Sequence, residues 1–81
     1  MEDRVTVRFV NEIRKIDVDL EVPLDISANE LVTAINSAYD LGIDTDDMKV
    51  CYLKSEEPIV LLKGSRTLRE FGVRTGSIIR Y

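Results

Sequence analysis

The stretch from Ser27 to Gly42, SANELVTAINSAYDLG, constrains this chain more than any other. Ser27 with Glu30 three residues on is a capping box, in which two backbone donors without helical partners are satisfied reciprocally. Ile26 and Leu31 stand at the positions of a hydrophobic staple. Gly42 follows the last periodic residue and is expected to end the helix in the left-handed conformation. At about 100° per residue, Ala28, Leu31, Val32, Ala34, Ile35, Ala38, Tyr39 and Leu41 share one half of the cylinder. Asn29, Glu30, Thr33, Asn36, Ser37 and Asp40 take the other half. A helix with so broad a dry face requires the rest of the chain to cover it.

The flanking sequence supplies strands. Val5, Val7 and Phe9 alternate with Arg4, Thr6 and Arg8, the period of a half-buried strand. After the polar break Asn11-Glu12, Ile16, Val18, Leu20 and Val22 alternate with Lys15, Asp17, Asp19 and Glu21, so the pair reads as a hairpin. Pro23, which has no ladder donor, ends it. Met48–Lys54 reads as a third strand. With Lys49 in water, Met48, Val50 and Tyr52 are expected inside, and Cys51 and Leu53 on the outer face. Ser55–Pro58 is turn chemistry and Ile59–Leu62 a short apolar fourth strand. Thr67 and Glu70 repeat the capping-box spacing, predicting one helical turn over Leu68–Phe71 closed by Gly72. Leu68, Phe71 and Val73 are expected to plug one end of the core. Ser77–Tyr81 is the last strand, with Ile79 and Tyr81 inward and Ile78 and Arg80 outward. One helix segregated to one face of a mixed sheet is an α+β architecture.

Eighty-one residues, 44% hydrophobic and 32% charged, suit one domain spanning 1–81. No apolar run approaches membrane-spanning length. Met1–Arg4 carries two acids and leads into a strand, so neither a signal peptide nor direct membrane insertion is expected. The chain has one cysteine and no histidine, which excludes an internal disulfide and withdraws the commonest general base and metal ligand. The acids Asp44, Asp46 and Asp47 lack the glycine and distant glutamate of an EF-hand loop. The glycines are scattered at turns and form no phosphate loop. No catalytic residue, cofactor or metal is therefore expected. Residues 1–47 hold twelve acids against four bases, and residues 48–81 three against seven. The net charge of −4 argues against a nucleic-acid partner.

The hairpin, the capped helix ending in Gly42-Ile43 and the segment Gly64-Ser-Arg-Thr-Leu-Arg-Glu-Phe-Gly-Val73 resemble the ubiquitin-like β-grasp family. That resemblance implies a five-stranded sheet in the order 2-1-5-3-4 with the first and last strands parallel and central. Leu20-Glu-Val-Pro-Leu-Asp-Ile-Ser-Ala-Asn-Glu-Leu-Val32 and Gly76-Ser-Ile-Ile-Arg-Tyr81 further resemble the YukD/EsaB group of bacterial type VII secretion systems. The group implies a cytoplasmic accessory or regulatory component that binds a membrane-bound secretion ATPase or an associated membrane component, without catalysis. The flexible Gly-Gly tail of modifiers and sulfur carriers is not found before Tyr81, so a non-conjugated protein is expected. Two alternatives stay open: a domain of a larger membrane component, and a modifier or sulfur carrier lacking its tail.

On that strand order the outer sheet face gathers Arg4, Arg8, Lys49, Cys51, Leu53, Leu61, Ile78 and Arg80. An apolar centre ringed by bases, with Asp17, Asp19 and Glu21 beside it, is the expected protein-binding surface. The helix, with its small and nearly uncharged wet face, is expected to be scaffold. Strands two and four would be sheet edges, through which a homodimer could pair.

Overall fold

A computed structural model describes residues 3–81. The elements are β1 (Arg4–Asn11), β2 (Ile16–Pro23), α1 (Ala28–Tyr39), β3 (Leu53–Glu56), β4 (Val60–Leu62), α2 (Leu68–Phe71) and β5 (Ile78–Arg80). The five strands form one sheet in the order β2-β1-β5-β3-β4. The β1–β5 pair is parallel and the other pairs are antiparallel. This is the expected ubiquitin-like β-grasp, and β2 and β4 are its edges.

Alternation along β1 and β2 sets which face each residue takes. Val7 stands opposite Leu20 and Phe9 opposite Val18 on the inner face, where α1 covers them. Phe9, Leu31, Val32, Leu53, Leu62, Leu68 and Ile79 are completely or almost completely buried. Each large aliphatic or aromatic side chain removed from water in this way contributes about 1.5–3 kcal/mol. The Phe9 and Tyr39 rings meet at 5.5 Å between centroids, which ties the last turn of α1 to β1.

The two helix starts are joined to each other. Ser27 Oγ accepts from the Glu30 amide at 3.1 Å, and Thr67 Oγ1 accepts from the Glu70 amide at 3.2 Å. Only the second site is a complete capping box, with the Glu70 carboxylate returning to the Thr67 amide. Ser27 and Thr67 also form an antiparallel bridge. The Ala28 amide donates to the Arg66 carbonyl, and the Leu68 amide to the Ile26 carbonyl. Donors left over at each helix start are thus met by the segment leading into the other. Arg69 extends the junction with bonds to Asp25 and Asp3 at 3.0 and 2.9 Å.

Several expectations are corrected. The helix ends at Asp40, not Gly42: Asp40 takes the left-handed conformation, with φ 53°, and its amide donates to the Asn36 carbonyl. The Asn36 side chain then brackets Ile43, accepting from its amide at 2.9 Å and donating to its carbonyl at 3.1 Å. A residue assigned to the wet face therefore fastens the loop after the helix. Ala34 and Ala38 are exposed, because the sheet covers a narrower arc of α1 than the half-cylinder expected.

The third strand is shorter and of opposite phase. Residues 48–50 lie in turn structure, with amides of Val50 and Cys51 both donating to the Asp47 carbonyl. Met48 is 82% exposed, while Cys51 and Leu53 are buried in the core. Tyr81 lies beyond β5 and is 46% exposed, not inward.

Candidate functional site

The outer sheet face can be read from the register. Thr6, Arg8 and Val10 stand opposite Glu21, Asp19 and Asp17 across β1 and β2. Arg8 also faces Ile78, and Val10 faces Arg80, across β1 and β5. On the far side Lys54 lies between Arg80 and Leu61, and Glu56 stands beside Ile78. Of the residues expected here, Arg4, Arg8, Ile78, Arg80 and Leu61 are brought together on this face. Cys51, Leu53 and Lys49 are not. Leu53 is in the core, and Lys49 and Cys51 lie in the loop that precedes β3, outside the sheet. The physical reason is the turn at 48–50, which shifts the strand phase by one residue and puts Lys54 outward in place of Leu53.

The bases on the face form ion pairs. The Arg8 guanidinium holds Asp17 through two contacts, the Nε one at 2.7 Å. That hydrogen bond holds the Asp17 carboxyl below its ordinary range and raises the already high Arg8 value. Arg80 Nε meets Glu56 at 2.7 Å and its NH1 meets Glu12 at 3.4 Å. Arg4 lies 3.8 Å from Glu21. The expected ring of positive charge is therefore largely compensated. Lys54 has no ion pair among the described residues.

Between these pairs lies apolar surface. Leu61 is 44% exposed and Ile59 92% exposed. Together with Lys54, Glu56 and Arg80 they bound a groove of about 320 Å³ along β4. A second hollow, of about 290 Å³, lies on the other side of Arg80 and is lined by Val10, Ile13 and Tyr81. Ile13, in the β1–β2 turn, is 93% exposed. Ile59, Ile13 and Tyr81 were missed as candidates. Ile13 between Glu12 and Arg14-Lys15, a lone aliphatic in a polar turn, was the legible signal.

Lys49 and Cys51 instead line a separate cleft of about 510 Å³, between the loop before β3 and the turn before α2. Cys51 is buried, its Sγ 4.0 Å from Asn29 Oδ1, a weak contact that offers no activating base. Among the described residues no group of three or more His, Cys, Asp or Glu side chains is placed to hold a metal. Among the described residues, too, no helix is long and apolar enough to cross a membrane.

The fold defines a ubiquitin-like β-grasp protein. Residues 4–80 match the family model described as WXG100 protein secretion system (Wss), protein YukD, and the chain belongs to that family. No curated protein sequence matches at a significant level. Among solved structures, the chain is similar to a ubiquitin-like domain from tubulin-binding cofactor B. Identity is 19%, the TM-score is 0.75, and the match covers 99% of this chain and 89% of that one. It is also similar to the C-terminal ubiquitin-like domain of mouse tubulin-specific chaperone e. There identity is 9%, the TM-score is 0.72, and coverage is 98% and 84%. At such identities the likeness concerns the fold.

Proposed function

We propose that this protein is a non-conjugated, non-catalytic accessory or regulatory component of a type VII secretion system. It acts on the cytoplasmic side, where its outer sheet face binds the membrane-bound secretion ATPase or an associated membrane component. Membership of the YukD family over residues 4–80 is the observation that carries this reading. The surface is supported by Ile59, in the turn before β4, and Leu61, on that edge strand, two large exposed aliphatics that line one groove. Aliphatic side chains at the centre of a polar rim are the usual anchors of protein interfaces. Because Arg8 and Arg80 are engaged by acids on the same face, the partner surface is expected to be apolar at its centre and to need only one acid, opposite Lys54.

The test is co-purification of the tagged chain with the ATPase from detergent-solubilised membranes. Changing Ile59→Asp and Leu61→Asp together is expected to abolish recovery, since both side chains lie at the surface and the variant keeps its core. A folded double variant that still recovers the ATPase refutes the assigned face.

A further inference from the structure

We propose that the cleft beside the start of α1 is a second binding site, for an acidic linear peptide segment that carries one aliphatic side chain. The site is independent of the sheet face. Its lining includes Lys49, Lys63 and Arg66 and no acid, in a chain that has more acids than bases. Lys49 and Lys63 have no ion pair among the described residues. Arg66 has one, with Glu70 at 3.4 Å, and lies over the Phe71 ring. Three bases with no acid among the lining residues thus converge on this cleft, whereas on the sheet face Arg8 and Arg80 are held by acids.

Two nearby acids shape the loop that forms one wall of the cleft. Asp44 Oδ1 accepts from the Asp46 amide at 3.0 Å, and Asp47 Oδ1 accepts from the Lys49 amide at 2.9 Å. Neither carboxylate lines the cleft. These turns also fix the wall that carries Met48 and Lys49. The opposite wall is fixed by Asn29, whose amide donates to the Gly64 carbonyl and whose Oδ1 accepts from the Gly64 amide, each at 3.0 Å. Both walls are therefore ordered before any ligand arrives, which lowers the entropic cost of binding.

Size and chemistry select the occupant. A volume of about 510 Å³ accommodates one large aliphatic side chain with its neighbouring backbone. Met48 and Cys51 offer it apolar contact, and Asn29 Nδ2, which bonds to no described protein group, can donate to a peptide carbonyl. The three cations flank that position and match acids on either side of the anchor. An extended anionic surface such as a membrane is disfavoured, because a flat surface cannot enter the cleft.

The test uses a fluorescein-labelled heptapeptide, DEDLEDE, titrated against the full chain by fluorescence anisotropy. Amide shifts in 15N correlation spectra locate the contact. Binding is expected, weakening as salt is raised, with the largest shifts at Lys49, Gly64 and Ser65. Lys49→Glu with Lys63→Glu is expected to weaken it by at least about tenfold, and Leu61→Asp to leave it unchanged. The latter separates this site from the sheet face. Both lysines are exposed, and circular dichroism checks that the charge variant is folded. The peptide DEDSEDE, without the anchor, is expected to bind several-fold more weakly. Equal affinity for the two peptides, equal affinity of the charge variant, or no binding overturns the proposal. So does binding to phosphatidylglycerol vesicles in preference to the peptide.

Discussion

Replacement of Asn36 by Ala is the most informative perturbation of the scaffold. The side chain accepts from the Ile43 amide at 2.9 Å and donates to the Ile43 carbonyl at 3.1 Å, and Ile43 itself is buried. Two side-chain-to-backbone bonds contribute about 0.5–1.5 kcal/mol each. Against this, Ala is the better helix former by roughly 0.5 kcal/mol. The net expected loss is about 1.5 kcal/mol, or roughly 6–12 °C in Tm for a domain of this size. Urea unfolding followed by far-UV circular dichroism measures it, and hydrogen exchange at the Ile43 amide should accelerate alongside. Asn36→Asp keeps the acceptor but faces a carboxylate toward the Ile43 carbonyl. That variant is expected to be the less stable of the two at neutral pH and to recover part of the deficit as the carboxyl is protonated. If Asn36→Ala proves as stable as the wild type, the loop after α1 is held by something other than this bracket.

Four further outcomes are expected. Ser27→Ala should lower stability by about 1 kcal/mol, read from chemical denaturation. Asp40→Gly should raise it by about 0.5–1 kcal/mol in the same assay. It relieves a left-handed non-glycine residue and removes an acid from the negative end of a helix. Leu53→Ala should cost about 2–5 kcal/mol, whereas Leu61→Ala should change thermal stability little, since one is in the core and the other at the surface. The Asp17 carboxyl should titrate below the ordinary aspartate range by 13C-detected NMR and return to it in Arg8→Gln. Because its folded value is depressed, the contribution of this pair is present at neutral pH and is lost as pH falls through that value.

The hairpin, the second helical turn and the capped start of α1 were legible because each rests on a local pattern with one physical meaning, whereas the strand order followed only from the resemblance to the ubiquitin-like family. Errors arose where two patterns competed. Lys49 reads locally as the outward marker of a strand, but the side chains and carbonyls of Asp44 and Asp47 draw that stretch into turns. The strand phase is set by Lys54, which faces water from within the ladder. Gly42 is an obvious helix stop, yet Asp40 tolerates the left-handed conformation and ends the helix earlier. The candidate surface was half legible for the same reason. Arg8, Ile78 and Arg80 sit on strands whose alternation is unbroken, whereas Lys49 and Cys51 were carried to another part of the molecule by the misread turn. The pairing of Arg80 with both Glu56 and Glu12 depends on contacts distant in sequence, which no local pattern displays.

The place of β5 in the sheet bears on synthesis. Its three residues, Ile78–Arg80, pair with β1 on one side and β3 on the other, and among the described strands they are the last to be translated. A nascent chain holding β1–β2, α1 and β3–β4 has two hairpins with open inner edges and no strand to join them. Such edges are templates for pairing with other chains, and long-range pairing of this kind is slow. The domain is therefore expected to complete its fold only after its final strand has left the ribosome. A stop codon ahead of Ser77 should yield an aggregating chain and not a smaller folded one.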